Sequence, residues 1–316
     1  MPLTDFPASA PLWIETGGVR QFVALRGRGD VPVLMIHGGP GQSLLPFARS
    51  IARATSLERD LALAYWEQRG TGRSRGQLRD TDLSLDIIVR DAAVIAERLA
   101  ARFGRAPVVV GHSWGTVVGA LLARDRPDLV AAYVGVGQVV NVRDQEAAST
   151  EWAWSEARRR GDRAALRALS RLGPPPHSAV QMLRQRAALA RQGGVWHEHG
   201  QAQLLASGLR DYLTTPEYSI RDLWRQARDP AFSLRALMAD KRAVDLVRQA
   251  PRLDVPVWFG AGIYDRITPL ALVERYAQAL VAPSKRLVRF KRSAHLPFLS
   301  EPAAFAALVR EASGAT

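Results

Sequence analysis

The chain contains no cysteine. Disulfides, thiolate metal ligands and a cysteine nucleophile are therefore excluded, and any chemistry must run on oxygen and nitrogen groups. Lysine is scarce, standing only at Lys241, Lys285 and Lys291, so the net charge of +13 is almost entirely arginine. Those arginines are spread along the chain, with no aromatic interleaving and no recognition motif, and nucleic acid is not expected as a partner. The densest patch, residues 158–171, reads as the solvated face of a helix with Ala164, Leu166 and Leu169 on its apolar side. No apolar run approaches the ~20 residues of a membrane helix. Residues 1–11 are a short polar, proline-bearing arm and not a basic-then-apolar leader, so a cytoplasmic protein without a membrane partner is expected.

What is present suits a globular protein. The 316 residues, 47% hydrophobic, suffice for one large core or two modest ones. Residues 12–14, 21–25 and 31–36 read as short strands joined by glycine-bearing turns, which predicts an antiparallel start. From residue 31 the pattern alternates: helix 44–54, strand 61–66, helix 83–103, strand 107–111, a helix from Trp114 stopped near Pro127, and strand 129–136. Such alternation predicts an α/β fold with a parallel sheet covered by helices on both faces. Between about residues 138 and 251 the rhythm breaks. Helical segments at 147–160, 178–191, 201–209 and 235–249 surround the break Gly173-Pro174-Pro175-Pro176, and no strand is evident. The pattern then resumes with strand 255–260, helix 270–280, strand 286–290 and helix 302–311. The expectation is a core of residues 1–137 and 252–316 with a helical cap of residues 138–251 at the carboxyl ends of the strands, where open α/β sheets bind ligands.

Ser113 stands in Gly111-His112-Ser113-Trp114-Gly115, after an apolar strand and before a helix. This is the pattern of a nucleophile on a sharp strand-to-helix turn, where a Cβ at either glycine would collide with a neighbouring element. A serine hydroxyl needs an imidazole to take its proton and a carboxylate to hold that imidazole. Of six histidines, His295 lies in a loop between the last strand and the last helix, where it can face the turn. Asp265 follows the strand 255–260 and completes the order Ser, Asp, His of the α/β-hydrolase arrangement. Asp254 is the alternative acid, but it precedes its strand and falls at the wrong end of the sheet. His37 and His112, beside glycines in tight loops, read as backbone-ordering residues and His177 as a surface residue. His197-Glu198-His199 is too short and isolated to be a metal site.

His37-Gly38-Gly39-Pro40-Gly41 follows the strand 31–36. Acyl transfer builds negative charge on a carbonyl oxygen, and the amides of Gly39 and Trp114 are candidates to stabilise it, with Gly38 beside the substrate. The same loop also reads as a plain glycine turn. A nucleotide cradle is disfavoured, because the dinucleotide glycine spacing and a P-loop lysine are both missing.

Together with Trp66-Glu67-Gln68-Arg69-Gly70-Thr71-Gly72-Arg73-Ser74, these motifs resemble the proline iminopeptidase (prolyl aminopeptidase) group of α/β-hydrolases, over roughly residues 20–140 and 252–312. The resemblance implies an α/β-hydrolase fold with a mostly parallel eight-stranded sheet and a helical cap. It also implies Ser113 as nucleophile, Asp265 and His295 as its partners, and an oxyanion hole of the Gly39 and Trp114 amides. Neither cofactor nor metal is implied. One departure is Glu67, where the group usually has aspartate; it is expected to adjust a salt link to Arg69 or Arg73. Members of the group hold the substrate's α-ammonium with acidic cap residues, a role for which Glu198 and Glu217 are the candidates in this arginine-rich cap. Either also reads as an ordinary surface or capping residue. Trp152, Trp154, Trp196, Tyr212, Tyr218 and Trp224 read as the walls of an apolar pocket or as the core of the lid. The expected activity is release of N-terminal proline or a small apolar residue from short peptides. The alternatives are a carboxylester or lactone hydrolase of the same fold, or a non-catalytic binding protein that keeps it. No sequence feature sets an oligomeric state.

Overall fold

A computed structural model describes residues 10–196, 210, 213–226 and 228–315. Its strands are β1 (Ala10–Thr16), β2 (Val19–Arg26), β3 (Val31–Ile36), β4 (Leu61–Trp66), β5 (Val108–His112), β6 (Ala132–Val136), β7 (Val257–Gly262) and β8 (Lys285–Phe290). They form one eight-stranded sheet in the order β1-β2-β4-β3-β5-β6-β7-β8. The antiparallel start is present: β1 pairs with β2 through a two-residue turn in which Gly17 and Gly18 both take left-handed φ, and β2 pairs antiparallel with β4. All later pairings are parallel. β6 starts later than its apolar run because Pro127 opens a short 3-10 turn over Pro127–Leu129.

Before the insertion come α1 (Ala48–Thr55), α2 (Leu85–Phe103) and α3 (Trp114–Asp125). The two-residue period of the buried strands divides the core cleanly. Leu34 and Ile36 of β3, with Ala62, Ala64 and Trp66 of β4, pack toward α2 and α3. Val33 and Met35, with Leu61, Leu63 and Tyr65, face the other layer, where Ile51 of α1 meets Phe305, Leu308 and Val309 of the C-terminal helix. Because β3, β4 and β5 are buried on both faces, they read as unbroken apolar runs and not as alternating ones.

The segment between β6 and β7 contains α4 (Val142–Arg159), α5 (Arg163–Leu169), α6 (Ala179–Arg191), α7 (Ile220–Gln226), α8 (Asp229–Ala236), α9 (Met238–Arg242) and α10 (Leu246–Gln249). The single helix expected over 235–249 is instead three pieces. The chain leaves helical geometry near Asp245 to bridge Asn141: the Val142 amide donates to Val244 O and the Leu246 amide to Val140 O, tying the entry of the insertion to its exit. The arginine patch 158–171 is not one helix face either. α4 ends at Arg159, Gly161 turns with φ 64°, and Asp162 caps α5, which buries Ala165 and Leu169 and leaves Ala164 exposed. The helix expected over 201–209 lies outside the described residues. α11 (Leu270–Ala279), α12 (Pro297–Ser300) and α13 (Pro302–Ser313) complete the chain. No helix among the described residues is long and apolar enough to cross a membrane.

Strand order reverses at β3: the chain builds β4 on one side of it and then crosses to build β5 on the other. The loops after β3 and β5 therefore part at the carboxyl edge of the sheet and leave a crevice between them. His37–Gly41 and Ser113 lie in those two loops.

Candidate active site

Ser113 sits between the end of β5 and the first residue of α3 with φ 52° and ψ −121°. A non-glycine residue in that region carries about 1–3 kcal/mol of strain, and the surroundings hold it there. The Ser113 amide donates to Val136 O at 3.0 Å and the Thr116 amide to Ser113 O at 2.9 Å. Both flanking glycines are obligatory for space. A Cβ on Gly111 would lie 2.5 Å from Gly115 O, and one on Gly115 would lie 2.1 Å from Ile36 O.

Asp265 and His295 come together from the loops after β7 and β8. His295 Nδ1 is 2.8 Å from Asp265 Oδ2. A carboxylate only accepts, so Nδ1 carries the proton and Nε2 presents a lone pair. The other bonds to Asp265 come from the amides of Ile267 (2.8 Å) and Thr268 (2.9 Å) and from Thr268 Oγ1 (2.6 Å). Burial would push this carboxyl up, but the charge and hydrogen bond of His295 and the bonds from Thr268 outweigh it and hold Asp265 below the usual carboxylate range. The alternative acid, Asp254, pairs with Arg252 in the open at the other end of β7. Gly137 at the end of β6 backs the imidazole, since a Cβ there would lie 3.2 Å from His295 Cε1.

His112 and His37 order backbone, as their tight loops suggest. His112 Nε2 donates to His295 O at 2.9 Å, which ties the residue before Ser113 to the loop that bears the imidazole. Burial, with the nearby His295, drives His112 down to about 3 and keeps it neutral. His37 Nδ1 donates to Gly38 O at 2.9 Å while Nε2 accepts the Gln68 amide at 3.1 Å. Burial lowers His37 to about 4 against the opposing bond to Gly38. Gln68 also donates through Nε2 to His37 O at 2.8 Å. Gln68, whose place in its motif carries no sequence signal of this role, braces the glycine loop from the end of β4.

In that loop Gly39 has φ 114°, and a Cβ there would lie 2.7 Å from Gly41 N. A Cβ on Gly38 would lie 3.0 Å from Ser113 Cβ, so the loop backbone passes directly over the serine. The amides of Gly39 and Trp114 donate to no acceptor among the described residues.

The salt link expected of Glu67 is not formed. Its Oε2 accepts the backbone amide of Arg73 at 2.7 Å, and its Oε1 accepts the Tyr218 hydroxyl. Arg69 instead forms a buried fork to Asp91 at 2.8 Å, and the Arg73 guanidinium lies over the Phe22 ring at 4.2 Å. Glu67 lies close against the loop: a Cβ on Gly72 would lie 2.2 Å from its Oε1. Burial pushes Glu67 up to about 7; the bonds from Tyr218, Arg73 and Ser43 oppose this, and the charge of Asp229 adds to it. Asp229, at the start of α8, accepts the Gly72 amide at 2.6 Å, a second tie between the insertion and this loop.

The remaining residues of the insertion divide. Glu217 is engaged by Arg26 at 3.0 Å in a buried cluster in which Arg26 also pairs with Glu58, so its carboxylate is not open to an incoming ammonium. Tyr218 is buried against the sheet layer containing Tyr65; Trp196 is half-buried; Trp224 is exposed with Arg228 over its ring. Trp152 and Trp154 pack in a small core of α4, α5 and α6. Glu198, His197, His199 and Tyr212 lie outside the described residues. His177, expected at the surface, is buried: its amide donates to Glu146 Oε2 at 2.8 Å and its carbonyl accepts Arg242 at 2.9 Å.

The chain matches the family model for the alpha/beta hydrolase fold over residues 31–302. It is 30% identical over 301 residues to the probable aminopeptidase YbaC of Bacillus subtilis, covering 93% of this chain and 92% of that one. To the proline iminopeptidase of Heyndrickxia coagulans it is 23% identical over 292 residues, covering 89% and 90%. The crystal structure of proline iminopeptidase from Mycobacterium smegmatis superposes with a TM-score of 0.65 at 16% identity, covering 96% and 98%, which shows a shared fold. On a match that spans most of its length, the chain belongs to the alpha/beta hydrolase fold family.

Proposed function

We propose that the protein is a serine hydrolase of the aminopeptidase kind, releasing N-terminal proline or another small apolar residue from short peptides through an acyl-enzyme. The observation that carries this reading is the buried Asp265–His295 pair, with the Nδ1 proton directed at the carboxylate. His295 Nε2 takes the proton of Ser113 Oγ as that oxygen bonds to the scissile carbonyl carbon. The electron pair of the carbonyl moves to its oxygen, where the amides of Gly39 and Trp114 receive the negative charge. When the tetrahedral adduct collapses, the C–N bond breaks and the leaving nitrogen takes the proton from His295. Water then repeats the sequence on the acyl-serine and restores the hydroxyl.

Residues 138–251 act in this reading as a cap on a core of residues 1–137 and 252–316. The support is local: the Val195 carbonyl accepts the His295 amide, and the Gly194 carbonyl accepts the Arg266 amide beside Asp265. Glu198 follows three residues after Val195 in the chain and is the carboxylate we assign to the substrate ammonium, Glu217 being taken by Arg26. The aminopeptidase character comes by analogy with the relatives named above. Turnover of proline and alanine aryl-amides against short-chain aryl esters tests it. Release from the amides is expected, and turnover of esters alone would replace the aminopeptidase reading by an esterase one, because the core motifs set acyl transfer and not the leaving group.

A further inference from the structure

Glu67 follows the last residue of β4 and is fully buried. Among the described residues its side chain forms no ion pair. The Arg73 guanidinium lies over the Phe22 ring; that of Arg75 lies 3.7 Å from the centre of the Phe232 ring, with its Nε 3.5 Å from Asp229 Oδ1. Buried carboxylates ordinarily have a cation beside them, so burial here favours the neutral acid. The groups that act on Glu67 come from three segments. The insertion supplies the Tyr218 hydroxyl and the charge of Asp229, its own loop the Arg73 amide, and the stretch after Gly41 the Ser43 hydroxyl. From β2 the Phe22 carbonyl accepts its amide at 3.0 Å, and His37, bonded to the adjacent Gln68, is neutral.

The insertion also touches the glycine loop directly. A Cβ on Gly41 would lie 2.8 Å from Asp229 O and 2.8 Å from Ser233 Oγ, so α8 begins against that loop. Asp229 Oδ2 accepts the Gly72 amide at 2.6 Å, and Gln68, next to Glu67, holds His37 by two hydrogen bonds. Moving Tyr218 and α8 away from Glu67 therefore takes one wall from the loop that carries the Gly39 amide.

We propose that Glu67 is a positioning residue for the glycine loop: as a neutral acid it holds the insertion against that loop through Tyr218, and on ionising it releases the insertion. Because Oε2 accepts the Arg73 amide, the proton of the neutral acid stands on Oε1 and is donated to the Tyr218 oxygen. Lifting the insertion lets water reach the carboxyl, which then returns from about 7 toward its ordinary 4.5. The closed arrangement is thus favoured in full below pH 4.5, loses about tenfold per pH unit above it, and has lost the whole advantage above about 7. The proposal rests on the reading of Ser113 as an acyl-transfer nucleophile with the glycine loop as its oxyanion hole.

Two rates test it. Tryptic cleavage at Arg221 and Arg228, exposed at the two ends of α7, reports release of the insertion, and fluorophosphonate labelling of Ser113 reports the glycine loop. Glu67→Gln fixes the neutral form, its amide donating to Tyr218. Wild type and variant are compared at equal pH, so that the responses of trypsin and His295 cancel. From pH 6 to pH 8 the wild-type-to-variant ratio should rise about tenfold for cleavage and fall about threefold or more for labelling. Tyr218→Phe keeps the acid and removes the tie; at pH 6 it should be cut faster than wild type and labelled more slowly, each by about 3- to 10-fold. A cleavage ratio that stays constant with pH, or wild-type rates in Tyr218→Phe, would overturn the proposal. A changed cleavage ratio with unchanged labelling would also overturn it, leaving Glu67 as a fastening of the fold with no effect on the site. Absence of a Ser113 adduct at every pH would remove the acyl-transfer reading and the positioning role with it, while cleavage would still decide whether Glu67 holds the insertion.

Discussion

The backbone carbonyl of Val195 accepts the amide of His295 at 3.2 Å. One residue earlier, the Gly194 carbonyl accepts the Arg266 amide at 2.9 Å, so a short stretch of the insertion is fastened to both loops that present Asp265 and His295. Gly194 leaves no room for a side chain there: a Cβ would lie 2.8 Å from Arg266 Cβ and 2.8 Å from Trp152 Cζ3. Gly194→Val should therefore shift the Asp265 and His295 loops and lower kcat/KM by about 10- to 100-fold, since small misplacements of catalytic groups are expensive. Thermal unfolding of the same variant, followed by circular dichroism, should show a drop of only a few degrees.

Asp265→Asn tests the acid. The replacement keeps the shape but presents an amide where the imidazole now donates, favouring the wrong tautomer of His295. A loss of about 10³- to 10⁴-fold in kcat with little change in KM is expected, by analogy with triads of this type. Steady-state kinetics on any turned-over substrate measures it, and a loss below tenfold would mean that another residue holds the imidazole.

Glu67 makes stability depend on pH. Its carboxyl is pushed up from 4.5 to about 7, so the unfolded chain loses this proton at lower pH than the folded one. The folded state is favoured by this group below pH 4.5, and the advantage is lost as pH rises toward about 7. Glu67→Gln keeps an acceptor for the Arg73 amide and a partner for Tyr218 without the charge. It should stabilise the protein at pH 8 by on the order of 3 kcal/mol relative to its effect at pH 4, by the conversion of ~1.4 kcal/mol per pKa unit. Urea unfolding of both proteins across that range checks the sign, and a constant difference would show that the Glu67 carboxyl has the same pKa in the folded and the unfolded chain.

The sheet was legible where burial is uniform. β3 and β4 coincide with apolar runs because both of their faces are covered, and the elbow at Ser113 is legible because its two glycines answer to contacts with Gly115 O and Ile36 O. The insertion was less so. Residues 235–249 have helical spacing, yet the bridge between Asn141 and Asp245 breaks them, and a pairing across 104 positions leaves no local trace. His177 follows a proline run that reads as surface, but its backbone closes a buried network with Glu146 and Arg242. Glu67 looked like a salt-link partner from its neighbours in sequence; the separate fork of Arg69 to Asp91 decides otherwise.

The central claim is that Ser113 is a nucleophile activated by His295 and Asp265. Incubating the folded protein with a fluorophosphonate and mapping the adduct by mass spectrometry tests it most directly. A single adduct on Ser113, absent in Ser113→Ala and slowed at least tenfold in Asp265→Asn, is the predicted result. No adduct, or an adduct on another residue of the folded protein, would contradict it.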